Sequence, residues 1–205
     1  REAPLPHQPW AALKLPIDVL TPVPGPRIGI VNLQPDDDGV LRRLALFQST
    51  QGYLFPSFAL ATQLAADPSV GEMRLEGRSL SLRRLSLPLT REGDVLLRFP
   101  SNLEDLRTVP FHVLFDAAES RAPSGESLAR EFAGKTVIVG SSTGTGGETV
   151  FTPIGRMSAL QFAALAHAAI GSGFVMTPAR PWIDTLLVLL ALLVPLWVAL
   201  KGGER

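Results

Sequence analysis

The sequence predicts an α/β fold, a mixed sheet with packed helices followed by a transmembrane helix, and three observations lead there. Short β-branched or alternating apolar runs, such as Ile28 to Leu33 and Leu80 to Leu89, are separated by Gly, Pro and Asp turns. Alanine-rich stretches with helical periodicity, Pro56 to Ala66 and Ser158 to Ile170, alternate with them. The last apolar run, Trp182 to Leu200, would form a helix about 28 Å long, close to the roughly 30 Å hydrocarbon layer of a bilayer.

The chain divides into a proline-rich arm over 1–26, a body over 27–178 and the terminal helix over 179–201. The prolines of the arm exclude regular ladders. From Arg27 a strand, a turn and a second strand follow, with Asp38-Gly39 supplying the positive-φ residue of a tight connection. Pro56 to Ala66 reads as a short helix packed on one face. Leu80, Leu82, Leu85, Leu87 and Leu89 read as one half-exposed strand with a bulge at Arg83-Arg84. Val95 to Phe99 is a further strand, Leu106 to Ala117 a helix, and Ser127 to Phe132 a helix closed by Gly134. Ser158 is a natural N-cap for a nearly all-apolar helix that stops at Gly171-Ser-Gly173.

In the terminal helix, Asp184 sits in the first turn after Pro181, where the helix dipole favours a carboxylate. Trp182 and Trp197 mark the two ends at headgroup level. Arg180 before the span against Lys201 and Arg205 after it favours an extracytoplasmic body. The chain begins without Met and stops soon after the span, and reads as a piece of a longer protein.

Composition excludes several function classes. The 19 basic and 19 acidic residues cancel and form no basic footprint, which argues against DNA or RNA as partners. The absence of cysteine removes disulfides, thiolate metal sites and cysteine nucleophiles. Asp36, Asp37 and Asp38 invite a calcium loop, but that register puts Gln34 at the first ligand and Ala45 at the closing glutamate, so a turn is the better reading. His167 has no second ligand at helical spacing and reads as a packing histidine. No metal and no cofactor is expected.

Gly134-Lys-Thr-Val-Ile-Val-Gly-Ser-Ser-Thr-Gly-Thr-Gly-Gly-Glu is the most informative stretch of the body. A buried strand over Thr136 to Val139 would run into a loop of Gly, Ser and Thr, where α/β folds place binding groups. It fits neither the phosphate loop, which needs a Lys, nor the dinucleotide fingerprint, since Thr149 stands where the third glycine belongs. Gly140 to Gly144 does fit Gly-x-Ser-x-Gly, making Ser142 the nucleophile of an alternative hydrolase reading. Against it, glycines and Thr-Pro follow where a helix should open, and only Glu148 precedes His167 as a candidate acid.

Asn32, Pro35-Asp-Asp-Asp-Gly-Val-Leu-Arg-Arg, Leu-Leu-Arg-Phe-Pro ending at Pro100, Gly134 to Thr143, Gly147-Glu148 and Thr152-Pro-Ile-Gly-Arg-Met157 stand in a telling order and spacing. From Ile28 to the terminal helix the chain resembles the second type of CHASE domain. The resemblance implies a non-catalytic sensory domain outside the bacterial inner membrane, in a receptor with a cyclase or kinase output. Two departures stand out. Glu148 replaces the family's usual aspartate, and Ser158-Ala-Leu-Gln-Phe-Ala-Ala replaces Pro-Gly-Val-Glu-x-His-Ala, putting Gln161 for an acid and Ala163 for a histidine.

The functional expectation is a sensor that binds an extracytoplasmic small-molecule or protein signal and relays it through the terminal helix, paired as a homodimer through the receptor. Its binding groups are expected at Ser141, Ser142, Thr143, Gly147 and Glu148, and secondarily at Asp38, Arg42 and Arg43. A structural module that pairs receptors without a ligand is the remaining alternative.

Overall fold

A computed structural model describes residues 28–50, 53–66, 73–82, 85–101, 106–120, 128, 130–141, 148–179 and 181–202. Its strands are β1 (Arg43–Ala45), β2 (Phe47–Thr50), β3 (Tyr53–Pro56), β4 (Met73–Glu76), β5 (Ser79–Leu82), β6 (Leu85–Pro88), β7 (Asp94–Leu97), β8 (Thr149–Thr152), β9 (Gly155–Ser158) and β10 (Val175–Met176). The helices are α1 (Phe58–Ala66), α2 (Phe111–Ser120), α3 (Ala159–Ser172) and α4 (Pro181–Gly202). The proline-rich arm lies outside the described residues.

The α/β class is as expected, but the sheet is divided. Four small antiparallel sheets are present among the described residues, ordered β1-β7-β10, β2-β3, β4-β5-β6 and β8-β9. The parallel component is reduced to two isolated bridges, Ile30 with Ser57 and Val40 with Phe151. Ile28 to Leu33 is therefore no full strand. It is pinned to α1, because Ile30 N donates to Pro56 O at 2.9 Å and Phe58 N donates to Ile30 O at 2.8 Å. Gly29 permits that approach, since a Cβ there would lie 2.5 Å from Phe58 Cα.

The leucine run over 80–89 is corrected as well: it is a hairpin, not one bulged strand. β5 and β6 pair antiparallel with Leu80 opposite Leu87 and Leu82 opposite Leu85. Opposed residues of an antiparallel pair share a face, so pairing β5 against β6 keeps the leucines on one face as well as a bulge would. Arg83 and Arg84 themselves lie outside the described residues.

A single core forms where these sheets meet α1 and α3. Leu60 of α1, Leu80, Leu82 and Leu87 of the meander, Val95 and Leu97 of β7, and Phe162, Leu165 and Ile170 of α3 are all buried in it. α3 begins as expected: Ser158 Oγ accepts from Gln161 N at 3.2 Å, and Gln161 Oε1 accepts from Ser158 N at 3.0 Å. This capping box satisfies two amides that the first turn would otherwise leave open. At the other end Gly173 takes the left-handed conformation at φ 70° and donates to Ala169 O and Ile170 O.

α4 leaves the body. It runs 22 residues, yet Leu186, Leu187, Leu189, Leu190, Leu192 and Leu193 are all exposed, so it is not a core helix. Counted over the described residues alone, no helix is long and apolar enough to cross a membrane.

Candidate functional site

The turn after Leu33 builds the most developed polar site. Gly39, at φ 77°, lets the chain reverse, with Gly39 N donating to Asp36 O at 2.8 Å and Asp36 N to Val40 O at 3.1 Å. Asp38 Oδ1 accepts from Val40 N at 3.0 Å. The reversal throws Asp36 and Asp38 against Arg42. Arg42 donates to both oxygens of Asp38, at 2.9 and 2.7 Å, and to Asp36 at 3.1 Å. Fork-to-fork pairing of this kind fixes direction as well as charge.

Arg43 extends the network across β1. Its Nε lies 2.7 Å from Asp36 Oδ1, and its Nη1 is 3.7 Å from Glu92 in the turn before β7. The close Nε contact is an ion pair without the direction of a hydrogen bond, as Nε is buried and unsatisfied in that sense. Register explains why a residue fifty positions on reaches the site: Ala45 pairs with Asp94 and Arg43 with Leu96.

These groups line an open cleft of about 530 Å³ with Gln34, Pro35, Asp37 and Ala45. Asp36, Asp37, Asp38, Glu92 and Asp94 supply carboxylates against the guanidinium groups of Arg42 and Arg43, so the cleft is net negative. The Arg42 bond, aided by the Val40 amide, lowers Asp38 from 3.8 to about 2, and the same carboxylates raise Arg42 further. Glu92 is also lowered, first by its own backbone amide and then by the Thr90 hydroxyl. Among the described residues no three His, Asp or Glu groups are placed to hold a metal ion. Asp36 and Asp38 instead brace the turn and pair with Arg42 and Arg43.

The sequence-predicted residues thus split into two sets. Asp38, Arg42 and Arg43 come together, joined by Asp36, read from the sequence only as a turn residue, and by Glu92 and Asp94, which no sequence motif marks. Glu148 and Ser141 do not line this cleft. Both are exposed, and Glu148 contributes its carbonyl to Ala159 N at 2.8 Å. Ser142, Thr143 and Gly147 lie outside the described residues. The buried strand expected at Thr136 to Val139 is not formed. Val137 and Val139 are 51% and 76% exposed, and without a strand ahead of Ser142 the nucleophile elbow lacks its defining context.

His167 is a packing histidine: Nδ1 stands 2.8 Å from Thr62 Oγ1, and Gln63 Nε2 donates to its backbone carbonyl at 2.8 Å. Burial lowers its imidazole below 6.5. Gln161, at the position where the resemblance leads one to expect an acid, closes the capping box, a task that an acid at the same position also performs.

No curated protein and no solved structure matches the chain. A family model does, that of the CHASE2 domain, over residues 7–200, which takes in the body, most of the arm and all but the last residues of α4. The chain therefore belongs to the CHASE2 family, the extracellular sensory domains of signalling receptors.

Proposed function

We propose that this chain is the extracytoplasmic sensory part of a membrane receptor, that α4 crosses the bilayer, and that the helix relays occupancy of the body to a cyclase or kinase output. One observation carries the reading. The leucines of α4 stay exposed while a complete core forms without them, so they need an apolar environment that the body does not supply. A helix of that length rises about 33 Å, matching a bilayer of roughly 30 Å.

The cleft around Asp36, Arg42 and Arg43 is our preferred signal site, ahead of Ser141 and Glu148. It shares a sheet with the root of the helix: Arg43 opposes Leu96, Leu96 opposes Met176, and α4 starts at Pro181. A signal acts only by binding two arrangements of that sheet with different affinity. Pairing of two receptors accompanies the relay, and no chemistry is assigned to the body.

Alkaline carbonate washing of membranes from cells making the chain tests the anchor. Retention in the pellet is expected, and release with peripheral proteins would overturn the reading. In detergent, a cationic ligand that raises the melting temperature of the wild type and less so that of Asp37→Asn, which removes a lining carboxylate, would support the cleft.

A further inference from the structure

The outer edge of β4 is the most conspicuous unfinished surface. β4 is the edge of the β4-β5-β6 meander, and among the described residues no strand pairs with its far side. Met73 opposes Leu82 and Leu75 opposes Leu80, so both lie on the face that carries buried Leu80, Leu82 and Leu87. The apolar face therefore runs past the core. Met73 and Leu75 remain 42% and 46% exposed at its rim. β4 itself carries no proline, a device that commonly blunts such edges.

The sequence of β4, Met-Arg-Leu-Glu, is complementary to itself. When a second copy adds antiparallel about a two-fold axis, two central registers keep the apolar residues on one face. With the axis at Arg74, two guanidinium groups stand opposed. With the axis at Leu75, Leu75 meets Leu75 of the second copy, and Arg74 meets Glu76 of the second copy on both sides. Opposite charges directly across a ladder stabilise it and like charges destabilise it, so the second register is selected.

We propose that this chain pairs with a second copy of itself through β4, centred on Leu75, joining two meanders into one continuous six-stranded sheet. This names the surface for the receptor pairing in the function proposed above, and rests on that pairing.

The test uses the full chain in detergent micelles. The chain has no cysteine, so single thiols report cleanly. Leu75→Cys should form an intermolecular disulfide on mild oxidation, because opposed Cα atoms lie roughly 4.5–5.5 Å apart, inside the usual disulfide range. Tyr53→Cys, on another exposed hairpin, should not. Arg74→Glu should weaken the dimer about tenfold, and adding Glu76→Arg should restore it. A dimer that ignores both substitutions and gives no disulfide at position 75 would overturn this edge while leaving pairing elsewhere intact. A protein monomeric at every concentration would remove both.

Discussion

Asp38 and His167 are shifted by opposite causes, and each gives a pH signature. Arg42 and the Val40 amide bond the charged form of Asp38, so its folded value, about 2, lies below the unfolded 3.8. Its stabilisation is present above 3.8 and lost as pH falls through about 2. Arg42→Ala should return the Asp38 titration toward 3.8, read by carboxyl carbon NMR. Burial disfavours the charged form of His167, so the unfolded chain takes up its proton first as pH falls. The wild-type melting temperature should drop as pH is lowered from above 6.5, with a shallower slope in His167→Gln. Asp38, Arg42 and Arg43 were legible as a turn with charges at short range. Glu92 was not, because only the β1-β7 register brings it to Arg43. No local pattern in Arg91-Glu-Gly-Asp reports which strand will lie alongside.

Among elements, α3 was the most legible, since its cap, apolar body and glycine stop all act within one helix. Ser158→Ala should cost about 1 kcal/mol, lowering the melting temperature by about 2–4 °C in calorimetry. Phe162→Ala, at the centre of the core, should cost about 3–5 kcal/mol in urea unfolding with a similar transition slope. Gly29→Ala should cost about 1–3 kcal/mol, because the added methyl meets α1 backbone that has little room to shift. The leucine run at 80–89 shows where periodicity stops being informative. A bulge and a tight hairpin both return leucines to one face, and only pairing partners distinguish them. The Thr136 to Val139 segment failed for another reason. Its β-branched residues favour extended backbone, but a strand also needs a neighbour, and none is formed there among the described residues.

For the whole molecule, the sequence conveyed class and family better than sheet order, because antiparallel partners distant in sequence leave no trace in local composition. Between the body and α4 lies β10, whose strand pairing is two residues long, Val175 against Leu97 and Met176 against Leu96. Their amides should exchange with deuterium well before those of β7 in the wild type. A short clasp of this kind gives the body a mechanical fuse. If the tail is anchored as proposed, tension along it would load these two rungs before the leucine core, so a pull from the tail would first be felt at Leu96 and Leu97.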